Sequence, residues 1–203
     1  MFATDDEQIL LEDLVEINAG PSGSLLDRLG GDPDGVPVIS PADITDRHRV
    51  DTRKLRRLPQ ADAVGLARLA LRRNDIVVVR QGSLGRLALI GSQHENWLYN
   101  SSCIRLRPRE DRVLAEYLTL YLSYPPVQEE LLSRAVAGTV PSLNSAILRE
   151  FPVAVPSLAR QQDIIEVAAD IDELVQVHRD TADQLEALKT SILDDFLGAV
   201  QPT

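Results

Sequence analysis

Cysteine and lysine are almost missing from this chain: one cysteine, Cys103, and two lysines, Lys54 and Lys189, in 203 residues. One cysteine cannot build a disulfide framework or a cysteine-rich zinc site. In the apolar stretch SSCIRL it reads first as a small buried side chain and only second as a reactive thiol. Neither lysine has the paired carboxylates beside it that a metal-dependent nuclease uses. The three histidines, His48, His94 and His178, lie far apart in sequence, which offers no ligand spacing. No GxGxxG follows an apolar run, and the Gly82–Gly85 segment lacks the spacing and the lysine of a phosphate-binding loop. No run of 18 apolar residues is present, so no membrane helix is expected. The opening MFATDDEQ is acidic where a secretion signal would be basic. The expectation is a cytoplasmic protein with no catalytic centre, no metal and no cofactor.

What is present is arginine, and it is unevenly spread. The net charge of −10 argues against an anionic ligand until its distribution is considered. Residues 47–112 hold 15 of the 21 Lys and Arg but only 6 of the 31 Asp and Glu, a local surplus of nine positive charges. A ligand responds to charge within about a Debye length, ~10 Å, more than to the total. The middle of the chain can therefore face phosphates while the acidic remainder keeps the protein soluble. The competing reading is that several of these arginines pair with local acids on a solvated face.

Along the chain, residues 9–17 (ILLEDLVEI) read as a helical turn running into a strand, and 18–35 as a Gly/Asp/Pro/Ser-rich loop with one turn near Leu25–Leu29. Val36–Ser40 reads as a strand and Arg47–Arg57 (RHRVDTRKLRR) as an exposed basic loop that includes His48. Leu69–Leu71, Ile76–Val79, Leu87–Ile90, Trp97–Tyr99 and Cys103–Leu106 are short strands separated by turn residues. The period then becomes helical over Val113–Tyr124 and Val127–Val136, with a break at Pro125-Pro126. Gly138–Asn144 is a loop and Phe151–Val155 a last strand.

From Leu158 to Leu197 there is neither proline nor glycine, which predicts a helix roughly 60 Å long at 1.5 Å per residue. Ile164, Ala168, Ile171, Val175, His178, Ala182, Leu185, Lys189, Ile192 and Phe196 follow a 4, 3, 4, 3 spacing, the 3.5-residue repeat of a coiled coil. Only His178 and Lys189 interrupt the apolar seam. A polar residue at such a position costs stability and fixes register or partner. The stripe needs a second helix, from another copy or another protein. A kinked helix folded back on its own domain is the alternative.

Between two of the apolar runs sits Gln81-Gly-Ser-Leu-Gly-Arg86, preceded by Arg80. Gly82 and Gly85 permit positive φ and close backbone approach. Arg can bond guanine O6 and N7, Gln can bond adenine N6 and N7, and Ser or backbone amides can hold a phosphate. On spacing alone this reads equally as a groove-entering loop or as a turn whose arginines solvate a sheet edge.

LRRNDIVVVRQGSLGRLALI resembles the strand–loop–strand signature of target recognition domains in type I restriction-modification specificity subunits. LEDLVEINAGPSGS and VISPADI are similar to the family's opening stretch and second strand. AGTVPSLNSAILREFPVAVPSLARQQDII is similar to its junction into a long helix. The chain departs from the pattern at Asn74, Ser157 and Arg160, and keeps Gln161. The resemblance runs from about Ile9 to Leu197. It implies an α+β fold: a globular recognition domain with a twisted mixed sheet and flanking helices over residues 1–157, then a coiled-coil helix over 158–203. It also implies a non-catalytic, DNA-reading subunit of the half-S type, with one recognition domain and one long helix where the family usually has two. Its partners would be double-stranded DNA, a methyltransferase subunit, a restriction subunit where the system has one, and a second copy paired through antiparallel helices, the alternative to that pairing being a fragment whose other half is missing. Base readers would be Arg80, Gln81, Gly82, Ser83, Gly85 and Arg86, and phosphate contacts Arg47, Arg49, Arg53, Lys54, Arg56 and Arg57. Asn100, Ser101, Ser102, Thr139, Ser142 and Asn144 are weaker candidates. A protein-assembly subunit, or a recognition domain belonging to a larger methyltransferase, are the alternatives.

Overall fold

The computed structural model describes residues 7–21, 29–30, 33–136 and 141–198. All but the last residue of the turn expected near Leu25–Leu29, and the candidate Thr139, lie outside them. The chain divides into two units, Met1–Gln162 and Asp163–Thr203.

The first unit is α+β, with its strands in three small sheets rather than one. β5 (Ile76–Val79) consists entirely of β-branched residues and is buried along its whole length. It pairs antiparallel with β6 (Leu87–Leu89) on one side and with β8 (Cys103–Pro108) on the other. β2 (Val15–Ala19) adds to β8, giving the order β2-β8-β5-β6, all antiparallel. A second sheet has the order β4-β3-β7, from β4 (Arg56–Leu58), β3 (Val36–Ile39) and β7 (Leu98–Tyr99). β3 runs antiparallel to β4 and parallel to β7, so this is the mixed sheet. The third sheet joins β1 (Glu7–Leu10) antiparallel to β9 (Pro152–Val155). Val38, Ile39, Ile44, Leu58, Val77, Val79, Ala88, Leu98 and Tyr99 are part of one buried cluster that the first two sheets share.

Two expectations need correction. Leu69–Leu71 is not a strand: Val64–Leu69 is a 3-10 helix that follows α2 (Gln60–Ala63), and ladder-like bonding is confined to Leu71, which exchanges bonds with Asn96 and Trp97. Leu69 and Leu71 are buried and Ala70 between them is less so, and this two-residue spacing imitated a strand pattern. The stretch from Arg47 to Arg57 is not one exposed loop either. It contains the second arm of a tight hairpin and the first two residues of β4.

The helices follow their punctuation. α1 (Leu11–Leu14) buries both leucines between β1 and β2. α3 (Ala115–Ser123) ends where Tyr124 turns extended, and α4 (Pro125–Ser133) begins on Pro125, a proline tolerated in a first helical turn. α5 (Ser145–Arg149) is capped by Asn144, whose Oδ1 accepts from the Ile147 amide at 2.9 Å. α6 is continuous from Leu158 to Gly198. Its first turn belongs to the first unit, and the rest is a unit of its own. Within that unit Ile164, Ala168 and Val175 are half-buried. His178, Ala182, Lys189 and the apolar Ile171, Leu185, Ile192 and Phe196 are exposed, the last four by 46–74%. Among the described residues, no helix is long and apolar enough to cross a membrane.

Candidate nucleic-acid interface

The β5–β6 connection is wider than a tight turn. Val79 and Arg86 close it: the Val79 amide donates to the Arg86 carbonyl at 2.7 Å, and Gly85 donates to the Val79 carbonyl at 3.1 Å. Gly82 and Gly85 have φ of 89° and 80°, which only glycine adopts without strain. Their environments differ. A side chain on Gly82 would meet nothing nearer than Pro41, 3.9 Å away, so this glycine faces open space. A Cβ on Gly85 would lie 2.5 Å from Gln128 Oε1 and 3.2 Å from Leu132, because Gly85 packs under α4. Gly82 thus offers close approach to a ligand, while Gly85 serves packing.

Backbone bonds bring three separate segments to this loop. The Arg80 amide donates to the Ser102 carbonyl at 2.9 Å, and the Arg80 carbonyl accepts from Leu143 at 3.0 Å. The turn at Asn100–Ser102 is fixed by the Ser102 amide on Asn100 Oδ1 at 3.0 Å and by Asn100 on the Ile39 carbonyl at 2.9 Å. Ser142 is bridged to Val136. Arg80, Ser101, Ser102 and Ser142 are therefore gathered at one end of the central sheet, with Gln81 and Ser83 half-buried on the same loop. The Arg80 Nε is buried and has no hydrogen-bond partner among the described residues. Asn144, in contrast, spends its side-chain oxygen on the α5 cap.

Arg86 is already engaged. Its Nη2 pairs with Asp46 and its Nη1 reaches the Ile44 carbonyl at 3.4 Å. Arg53 is held by Asp51 through contacts of 2.6–3.1 Å, and that bond holds the Asp51 carboxyl down to about 2. Arg57 donates to the Gly35 carbonyl at 2.9 Å. Arg47, Arg49, Lys54 and Arg56 are exposed, and no ion pair among the described residues engages them.

The positive surplus is smaller at the surface than the sequence implies. Arg105 is 1% exposed, with Nη2 2.5 Å from Glu16 Oε1. Arg107 grips the buried Asp75 at 2.7 and 2.8 Å. Asp46 and Glu16, both outside residues 47–112, cancel two of the nine surplus charges. Apart from the paired Arg53, the exposed cations of this stretch divide between the β3–β4 segment (Arg47, Arg49, Lys54 and Arg56) and Arg68, Arg72, Arg73, Arg109 and Arg112 elsewhere. Burial pushes the Cys103 thiol up to about 12, which makes it inert and bears out its reading as a core side chain. Among the described residues, no group of three His, Cys, Asp or Glu side chains is placed to hold a metal ion. Asp46 is a shaping residue that sequence reading passed over, and His48, read only as a member of the basic loop, is another; the signal was a Thr-Asp-Arg-His run, since histidine is one of the few side chains enriched at positive φ.

This geometry has relatives. Residues 7–187 match the type I restriction modification DNA specificity domain, and the chain belongs to that family. It is 27% identical over 132 residues to the type I restriction enzyme EcoBI specificity subunit of Escherichia coli, covering 65% of this chain and 27% of that protein. It is 23% identical over 195 residues to the MjaIX specificity subunit of Methanocaldococcus jannaschii, covering 95% of this chain and 44% of that one. The fold is shared with a solved type I R-M system chain (TM-score 0.64, 18% identity, 96% of this chain and 46% of that one). It is also shared with the HsdS subunit of Thermoanaerobacter tengcongensis (TM-score 0.61, 17% identity, 96% and 45%). The chain spans less than half the length of these relatives.

Proposed function

We propose that this chain reads DNA for a type I restriction-modification methyltransferase complex, as a non-catalytic, cytoplasmic half-S subunit. The observation that carries the reading is the meeting of Arg80, Ser102 and Ser142 at one sheet end, beside the exposed cations of the β3–β4 connection. In this reading residues 1–157 recognise DNA, with Arg80, Gln81 and Ser83 reaching base edges and Gly82 admitting the backbone. Lys54 and Arg56 hold phosphates. Residues 158–203 pair with a second copy through the exposed seam of α6, and the two-fold dimer reads two inverted half-sites. Its partners are a methyltransferase subunit and, where present, a restriction subunit.

Two variants test it. Arg80→Ala should weaken binding to the preferred duplex by ~1–3 kcal/mol and relax one base pair of the site. Arg56→Ala should weaken binding to every sequence and lower the salt slope by about 1. Titrations of target and scrambled duplexes at several salt concentrations give both numbers, and wild-type behaviour from both variants would remove the DNA reading. Sedimentation equilibrium should return the mass of two copies; a monomer at micromolar concentration would remove the dimer. The exposed apolar face of α6 also favours a second reading, a protein-assembly subunit. Co-purification with a methyltransferase without any sequence preference for DNA would select it.

A further inference from the structure

The stretch expected as a loose basic loop begins with a closed hairpin. The Thr45 amide donates to the Arg49 carbonyl at 2.9 Å and the His48 amide to the Thr45 carbonyl at 3.1 Å. The Thr45 hydroxyl donates to the Arg49 carbonyl at 3.1 Å and accepts from the Arg49 amide at 3.3 Å. Asp46-Arg47-His48 is thus a three-residue turn whose last member takes the left-handed conformation usual at that place, with His48 at φ 56°. Below the tip Ile44 bridges Val50, the Asp51 amide donates to the Asp43 carbonyl at 2.7 Å, and Ile44 is 1% exposed. The base of the hairpin is core; its tip is surface.

The tip is fastened sideways to the β5–β6 loop. Arg86 holds it twice, through Asp46 and through the Ile44 carbonyl. The His48 ring is half-buried against the Leu87 backbone, and its Nδ1 is buried with no partner among the described residues. Arg47 and Arg49 are left exposed at the end. A phosphate contact does not require this construction, because a point charge on a mobile loop finds a phosphate equally well. A base reader does, since its side chain must meet two edge atoms in fixed geometry. The major groove, about 12 Å wide, admits a two-stranded ribbon.

We propose that the Thr45–Arg49 hairpin is a second base-reading element. Arg47 and Arg49 are its specificity-determining side chains, and Arg86 and His48 are positioning residues that hold it on the first loop. The assignment rests on the DNA-reading function proposed above and moves Arg47 and Arg49 from phosphate to base contacts, and Arg86 from reader to clamp.

Selection from a randomised duplex library tests it. Wild type should enrich one motif. Arg47→Ala and Arg49→Ala should each lose about 10-fold discrimination at one base pair and keep the others. Arg86→Ala and His48→Val should blur those same pairs although both arginines remain. His48→Asn accepts positive φ and should keep the motif. A pH series separates positioning from simple packing. Burial lowers the His48 pKa from 6.5, so protons bind the undocked tip in preference to the docked one. Docking is therefore favoured above pH 6.5 and weakens as pH falls below it. The charged side chains on the hairpin tip and its clamp are Asp46, Arg47, Arg49 and Arg86. Wild type should lose discrimination at the tip's pairs below pH 6.5, and His48→Asn should not. If Arg47→Ala and Arg49→Ala weaken binding to the whole library and leave the motif intact, the tip makes phosphate contacts and the inference fails while the DNA reading stands. If wild type enriches no motif, both fail together.

Discussion

Replacing Asp75 with alanine is expected to cost the recognition unit about 3–5 kcal/mol, the range for breaking a buried ion pair by removing one partner. Asp75 is fully buried. Its Oδ1 accepts from Arg107 Nε at 2.7 Å, and its Oδ2 from Arg107 Nη2 and the Arg72 amide, both at 2.8 Å. The Asp75 backbone closes the turn as well, donating to the Arg72 carbonyl at 3.1 Å and accepting from Ile90 at 2.8 Å. Asn74 before it sits at φ 69°, where glycine is otherwise the easy choice, and its side-chain Nδ2 donates to Glu110 Oε1 at 2.7 Å. The variant would leave a guanidinium whose side chain is only 20% exposed without its counter-charge, an orphaned amide and a small cavity beside β5. Asp75→Asn keeps the shape and the Arg72 bond and should lose less. The double variant Asp75→Ala/Arg107→Ala should lose less than the sum of the single changes, because removing both charges leaves neither unpaired. Urea denaturation followed by far-UV circular dichroism measures all three. An unchanged midpoint for Asp75→Ala would mean that the pair is not what holds this turn.

The same aspartate shows what the sequence could and could not disclose. It lies in the stretch that carries the family resemblance, next to the loop expected to read bases, yet its work is structural. The elements that were legible owe their form to local patterns. β5 is four β-branched residues in a row, α6 has no glycine or proline over forty positions, and the α3–α4 break falls on two prolines. The elements that were not legible depend on partners far away in sequence. β2 joins β8 across roughly ninety residues, and nothing in either strand announces the pairing. The division of nine short strands into three sheets is settled by that long-range pairing. Charge was misjudged for the same reason: Arg105 meets Glu16, and Arg86 meets Asp46, from opposite sides of the segment's boundary. Of the site, the two glycines of the hexapeptide were legible as positive-φ positions. The Thr45–Arg49 hairpin was not, because a turn built from charged residues has no apolar period to reveal it. α5, five residues long, is below the length at which helical periodicity can be counted.

Gln161→Ala should destabilise the recognition unit by about 3–5 kcal/mol, from unsatisfied backbone groups and a buried cavity together. Gln161 lies in the first turn of α6 and is fully buried. Its Oε1 accepts from the Leu114 amide at 2.8 Å, and its Nε2 donates to the carbonyls of Pro156 at 2.9 Å and Arg112 at 3.1 Å. One side chain therefore ties together the segment after β8, the segment after β9 and the start of the long helix. Leucine of similar volume would fill the space but satisfy none of the three groups, so Gln161→Leu should recover the cavity part of the loss and no more. Glutamate would put a carboxylate against two carbonyl oxygens, so Gln161→Glu should be at least as harmful as alanine near neutral pH and milder in acid, where a protonated carboxyl regains one donor. Hydrogen exchange separates this from general loosening. Protection of the Leu114 amide should fall in all three variants, because its acceptor is lost or displaced, while amides in the middle of β5 should change only by the global loss of stability. If Leu114 stays as protected as in the wild type, water has replaced the side chain at no cost and Gln161 is not the tie that its three bonds describe.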